Sequence, residues 1–200
     1  MDSEPTLLTL LPELAEFYKD LYPIPSGTLL HNTISLIISQ QIKFSQGRLI
    51  RKKLYNLLNS LSSDSSQHDH ILKGLTQQDW VKLGLPSNKI QCIIEVATIP
   101  NLTIESLINI KGIGPWTIKA LKILMDSDPN VFLNEDLWIR KRMSELCNSK
   151  KVLTPFELTH ISNKIPTTNL TQISRFLWRL KPEGVVNLLN GRELTRQDFI

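Results

Sequence analysis

The sequence predicts an all-α protein, and three observations carry that prediction. Leucine and isoleucine number 33 and 22 against only 6 valines in 200 residues. The apolar residues recur at three- and four-residue spacing, the period of one helix face, and do not alternate as a half-buried strand requires. Serine and threonine caps, with acids three residues on, stand at the starts of several of these stripes. A chain with 41% hydrophobic and 21% charged content buries its own core as one compact unit or two small subdomains, which excludes disorder and collagen-like repeats. Two cysteines, Cys92 and Cys147, exclude a disulfide framework and a four-thiolate metal or iron–sulfur site. No run approaches the roughly 18 apolar residues of a membrane span, and the start carries acids and a proline in place of a basic leader. A soluble, intracellular chain is expected. A net charge of +4 and a pI near 9.1 fit a nucleic-acid partner without establishing one.

Taken in order, Leu7, Leu10, Leu11, Leu14, Phe17, Tyr18 and Leu21 make a first amphipathic stripe, stopped by Pro23 and Pro25. Leu30, Ile34, Ile37, Ile38 and Ile42 make a second, and Ile50, Leu54, Leu57 and Leu58 a third. Ser60, Ser62, Ser63, Ser65 and Ser66 then mark a solvated loop. Thr76 with Asp79 resembles a capping box, Gly84 is expected to end that short helix, and Ser87 is placed to cap a helix with Ile90, Ile93, Ile94 and Ala97 that stops before Pro100. Thr154, Pro155 and Glu157 supply N-cap, first-turn proline and capping-box acid to a later helix. The last clear helix carries Leu170, Ile173, Leu177 and Leu180. No internal repeat of solenoid period is present.

The most informative segment runs from Leu107 to Thr117, where an apolar helix meets Lys111-Gly112-Ile113-Gly114 and leaves through Pro115. Gly112 is free to take a positive φ, Gly114 lets another backbone approach, and Pro115 sits where a missing N–H costs nothing. The second helix is expected to bury Ile113, Trp116, Ala120, Leu121 and Leu124. Its N-terminal N–H groups and positive dipole end suit a phosphate of DNA, although a Gly-x-Gly turn between helices equally fits a purely structural αα-hairpin. Beyond the Asp128-Pro129 break, Glu135 and Asp136 open a basic helix carrying Arg140, Lys141 and Arg142.

This order resembles the helix-hairpin-helix DNA glycosylases. An acid stands twenty residues beyond Trp116, and Phe132 to Asp136 resembles the 3-methyladenine DNA glycosylase II (AlkA-type) branch. Ile37 to Ile42 is similar to that branch's Gln-rich segment, Gly84-Leu85-Pro86-Ser87-Asn88-Lys89 to its Gly-Leu-x-x-x-Lys segment, and Phe176-Leu177-Trp178-Arg179 to its closing Tyr-Leu-Trp-Arg. The matches span residues 28 to 181 in the same order, more specific together than any one motif. The resemblance implies a two-lobed helical fold: 28–129 with a wedge loop and the hairpin, and 1–27 plus 130–200 carrying Asp136 at a cleft between them. The extra N-terminal β-domain that some AlkA-type enzymes carry is not expected, since the first helical stripe begins almost at Met1.

The implied chemistry agrees with what the residues offer. Glycosidic cleavage passes through an oxocarbenium-like state that one carboxylate stabilises. The resemblance makes Asp136 the catalytic candidate, since the branch's motif places its acid second of the pair, and its expected place in the first turn of a helix favours the ionised form through the dipole; an ordinary N-terminal helix acid is the plain alternative. Glu135 faces about 100° away. The resemblance makes Trp116 and Trp178 the walls of the base pocket, against their alternative as core fillers, and sets Ala120 where the branch has a tyrosine. It makes Gln41 the minor-groove wedge, assigns Lys111, Gly112, Gly114 and Thr117 to DNA binding, and gives the main-chain carbonyls of Ile108, Ile110 and Ile113 to a structural sodium or potassium ion. Trp116 stands where lyase-competent relatives carry a lysine, which implies no Schiff base and no strand cleavage. Lys119 does not replace it by position. The expectation is a monofunctional, monomeric glycosylase acting on double-stranded DNA, with no cofactor for catalysis and no iron–sulfur cluster, releasing 3-methyladenine or 7-methylguanine. The rival readings are a glycosylase for oxidised or deaminated bases and a non-catalytic DNA-binding module. Arg48, Arg51, Lys52 and Lys53, Arg140 to Arg142, and Arg175 with Arg179 are the basic clusters; His31, His68, His70 and His160 share no helical face or zinc spacing.

Overall fold

A computed structural model describes residues 7–18 and 27–199. Among the described residues the chain is helical, with one isolated antiparallel bridge between Leu180 and Phe199 and no helix long and apolar enough to cross a membrane. The helices are α1 (Leu7–Tyr18), α2 (Leu29–Ser39), α3 (Phe44–Leu61), α4 (His68–Gly74), α5 (Gln77–Leu83), α6 (Ser87–Thr98), α7 (Pro115–Leu124), α8 (Leu137–Leu146), α9 (Pro155–Ser162), α10 (Leu170–Arg179) and α11 (Pro182–Leu189). Leu21, Pro23 and Pro25, expected to end the first stripe, lie outside the described residues.

Chain contacts divide the protein into a unit of residues 25–121 and a unit of residues 1–24 with 122–200. The sequence placed the second seam at the Asp128-Pro129 break; it falls instead within α7. Local bonds account for the shift: Lys122 pairs with Asp128 at 3.4 Å, and the Arg175 Nε donates to the Ile123 carbonyl at 3.0 Å, which fastens the end of α7 to α10. In the unit 25–121, α2 packs on α3 and α6, and α4 on α3 and α6, with Ile34, Ile38, Leu54, Leu58 and Ile93 fully buried. In the other unit, α10 packs on α1 and α8, and α8 also on α9 and α11, around buried Leu11, Ile139, Met143, Ile173 and Leu177. Gln172 ties α10 to α1 by donating to the Ala15 carbonyl at 2.9 Å.

The capping boxes Thr76/Asp79 and Thr154/Glu157 form, the latter with Pro155 in the first turn, and Gly84 ends α5 in the left-handed region at φ 73°. Four local expectations differ. Phe17 is 76% exposed, because the buried face of α1 runs through Leu11 and Ala15. α2 ends at Ser39, leaving Ile42 outside it. Pro86, not Ser87, is the N-cap of α6 and makes no side-chain cap. The arm before the hairpin is a single 3-10 turn, Glu105–Leu107, entered through Thr103 and Ser106, which exchange bonds between hydroxyl and backbone N–H at 3.2 Å in the manner of a capping box. α11, not anticipated, starts on Pro182 and carries Gly184, where an added Cβ would lie 2.7 Å from Leu180 Cδ1 and 2.9 Å from the Asp198 carbonyl.

Candidate active site

The hairpin is built around Gly112, whose φ of 100° is one that a side chain rarely adopts. An added Cβ there would lie 3.4 Å from the Cys92 sulfur, whereas nothing stands within 4 Å of one at Gly114. Ile113 N–H closes the turn on the Ile110 carbonyl at 3.0 Å. Lys111 and Gly114 are exposed. Thr117 is not: it is 2% exposed, and its hydroxyl accepts from the Gln40 amide at 3.1 Å. Its side chain therefore works inside the hairpin and is not offered to DNA. The resemblance that assigned it to DNA binding gives no sign of this polar partner 77 residues away.

At the C-terminal end of α2, Gln41 is exposed and holds a left-handed backbone at φ 55°, sparse territory for a residue with a side chain. Gln40 beside it donates from Nε2 to the Gly112 carbonyl at 3.0 Å. Lys89, 9% exposed, donates to the carbonyls of Ile38 at 2.8 Å and Gln40 at 2.6 Å. Sequence reasoning quoted Lys89 as part of a motif and gave it no task.

Asp136 is the N-cap of α8, one position before the helix and not in its first turn, because its backbone is extended (φ −69°, ψ 122°). It is 9% exposed, and its Oδ1 accepts the N–H groups of Trp138 at 2.9 Å and Ile139 at 3.0 Å. Neighbouring Glu135 is exposed. The segment leading to Asp136 is pinned onto α10 by two fully buried hydroxyls. Thr171 Oγ1 accepts from Val131 N–H at 3.1 Å; Ser174 Oγ accepts from Leu133 N–H at 3.3 Å and donates to the Val131 carbonyl at 3.2 Å. These pins were not found from sequence, since a small hydroxyl on a helix has no distinguishing pattern.

Trp116 and Trp178 are both half-buried, in contrast to Trp80, which is a core residue at 2% exposure. Trp116 belongs to the unit 25–121, Asp136 and Trp178 to the other. Ala120 is fully buried, so it serves helix packing. Several expected basic contacts are structural. Arg140 Nε donates to the Leu153 carbonyl at 2.6 Å. Arg142, 3% exposed, lies 4.7 Å over the Trp138 ring and bonds Glu145 at 2.8 Å. Arg175 holds Asp126 at 2.8 Å. Arg48, Lys52, Lys53 and Lys141 are exposed.

The opposite, N-terminal end of α2 opens into a polar cavity of about 540 Å³ whose lining includes Thr28, His31, Asn32, Ser35, Tyr55 and His68. Here the fold joins two histidines that spacing had kept apart. His68 Nε2 lies 3.2 Å from the Ser62 carbonyl, which only accepts; in the tautomer that donates there, His68 accepts at Nδ1 from His31 Nε2 at 2.9 Å, and His31 Nδ1 accepts a hydrogen bond from the Thr28 hydroxyl at 3.1 Å. Burial, and secondly His68, hold the His31 pKa below its ordinary 6.5. Below that value the unfolded chain binds a proton that native His31 does not, so stability is expected to fall as pH drops from 6.5 toward the native pKa, with nothing gained above 6.5. Denaturation midpoints between pH 7.5 and about 5.5 check this, His31→Gln being expected to flatten the slope. An unchanged slope in that variant would remove His31 as its source.

No family model and no curated protein matches the sequence. Among solved structures, the helical arrangement matches the fold of three proteins named as 3-methyladenine DNA glycosylases or glycosidases. Mag1, the 3-methyladenine DNA glycosylase of Schizosaccharomyces pombe in complex with abasic DNA, superposes with a TM-score of 0.66 at 21% identity over 84% of this chain and 88% of that one. The 3-methyladenine DNA glycosylase from Archaeoglobus fulgidus gives 0.69 at 19% identity over 86% and 67%. The DNA-3-methyladenine glycosidase of Bacillus halodurans gives 0.62 at 16% identity over 98% and 95%. The chain shares their fold.

Proposed function

We propose that this protein is a monofunctional DNA glycosylase of the AlkA-type branch, which flips and hydrolytically releases 3-methyladenine and 7-methylguanine from double-stranded DNA. The observation that carries the reading is Asp136, a single carboxylate at 9% exposure held by two main-chain N–H groups, in a fold shared with three proteins named for 3-methyladenine release, one of them bound to abasic DNA. Lys111, Gly112 and Gly114 meet the phosphate backbone at the start of α7. Gln41 fills the space of the flipped nucleotide, and the indole faces of Trp116 and of Trp178 are each suited to a cationic purine. As the C1′–N bond breaks, its electron pair neutralises the departing ring while Asp136 faces the positive charge growing at C1′. Water adds its oxygen to C1′, and its proton passes through the carboxylate to solvent. The protein acts inside the cell as a monomer and needs no cofactor for this chemistry. The carbonyls of Ile108, Ile110 and Ile113 offer neutral, all-oxygen donors, the kind that suits a structural sodium or potassium ion; Ile110 shares its oxygen with the Ile113 N–H.

Chromatography of bases released from methylated duplex DNA tests the reading. Methylated purines are expected well ahead of 8-oxoguanine and uracil, because a cationic ring is already a good leaving group. The strand should remain intact until alkali nicks it. Faster release of 8-oxoguanine or uracil would move the assignment to a different glycosylase, a borohydride-trapped adduct would overturn the monofunctional mechanism, and duplex binding without release would leave a DNA-binding module.

A further inference from the structure

Gln41 keeps a left-handed backbone in an exposed turn. Such a conformation is costly for a residue with a Cβ and persists only where the surroundings over-determine it. Two side chains do so here. The Gln40 carbonyl belongs to the peptide plane whose rotation defines the φ of Gln41, and Lys89 Nζ grips that oxygen at 2.6 Å together with the Ile38 oxygen at 2.8 Å. Lys89 reaches this position from α6, buried to 9% exposure, and both of its hydrogen-bond partners are main-chain carbonyls. A buried cation without a carboxylate is ordinarily costly; the orphan carbonyls and negative dipole end of α2 compensate it. The second side chain is Gln40 itself, whose amide reaches across to the Gly112 carbonyl at 3.0 Å and the Thr117 hydroxyl at 3.1 Å. The turn bearing Gln41 is therefore bonded to the hairpin's own main chain, within one unit of the protein.

We propose that Lys89 and Gln40 are positioning residues for the wedge: Lys89 fixes the peptide plane from which Gln41 projects, and Gln40 sets the height of that turn against the hairpin. The inference rests on the reading of Gln41 as the wedge. A duplex seated on the hairpin then meets Gln41 at a defined distance, and extrusion of the nucleotide follows from seating without a separate ordering step.

The test uses the full chain and a duplex carrying a lesion beside 2-aminopurine, whose fluorescence rises when the stack opens. Duplex affinity, flipping amplitude, single-turnover base release and thermal midpoint are measured for Gln41→Ala, Gln40→Ala, Lys89→Met, and Lys89→Cys before and after alkylation with bromoethylamine, which rebuilds the amine as a thioether. The expected result is a roughly tenfold loss of flipping and base release in Gln41→Ala, Gln40→Ala and Lys89→Met, duplex affinity within about twofold of the parent, and recovery on aminoethylation. Should Lys89→Met fail to fold, Gln40→Ala, which removes only an amide tether, decides the matter. Normal flipping in both positioning variants alongside a defective Gln41→Ala would overturn this inference and leave the wedge reading standing. Normal flipping in Gln41→Ala would overturn the wedge reading and the positioning role with it. Loss of affinity in step with flipping would identify a general structural role and likewise overturn the inference.

Discussion

Asp136→Asn is expected to lower base release on the order of 10³-fold, the scale on which preorganised charge stabilisation is lost, without a measurable change in thermal stability. The geometry makes this a clean test. Oδ1 of Asp136 accepts from Trp138 and Ile139 at 2.9 and 3.0 Å, and an asparagine amide oxygen performs the same cap equally well. The substitution thus retains the fold of α8 and removes the negative charge. Asp136→Ala would confuse the two effects, because losing the cap itself costs about 1 kcal/mol. Glu135→Gln, at an exposed neighbouring position, should lose little. Single-turnover release from methylated duplex, measured beside melting curves, checks the expectation; near-parental release by Asp136→Asn would end the assignment.

The two glycines of the hairpin are expected to separate. Gly112→Ala forces a Cβ onto a backbone at φ 100° and sets it 3.4 Å from the Cys92 sulfur, so it should destabilise the protein by about 1–3 kcal/mol and weaken duplex binding as the turn rearranges. Gly114→Ala meets nothing within 4 Å and should melt with the parent. Any loss of affinity in Gly114→Ala therefore reports the approach of the DNA backbone, and it should be equal for damaged and undamaged duplexes, since phosphate contacts carry no base information. Melting curves and binding isotherms on both duplexes decide the point. A changed base preference at unchanged affinity would contradict the role of the hairpin.

What could be read from the sequence was local. Thr76 with Asp79 and Thr154 with Glu157 form their boxes because cap and acid are three residues apart, and Gly84 ends a helix through its own φ. The stripe Ile34, Ile37 and Ile38 is buried as its spacing requires. What escaped was the polar contact across long separations. Lys89 meets its carbonyls 51 and 49 residues away, and His31 meets His68 across 37. Arg142 and Arg175, counted by charge as surface cations, are drawn inward by Trp138 and Glu145 and by Ile123 and Asp126. Thr117 was assigned by its place in a motif, which gives no sign that its side chain is buried against Gln40. Periodicity reports which face is apolar and is silent on which polar group another element will satisfy.

The hydroxyls of Thr171 and Ser174 bear on how natural variation in this protein should be weighed. Both bond main-chain atoms of residues 131 and 133, so they are indifferent to the identity of those side chains, and substitutions there that preserve burial keep the bonds intact. The reverse does not hold. Ser174→Ala or Thr171→Val, exchanges that any substitution table scores as mild, would strand the buried N–H groups of Leu133 or Val131 just ahead of the acid. A variant at either position, met in a genome and lying far from Asp136 in the chain, belongs with the damaging class.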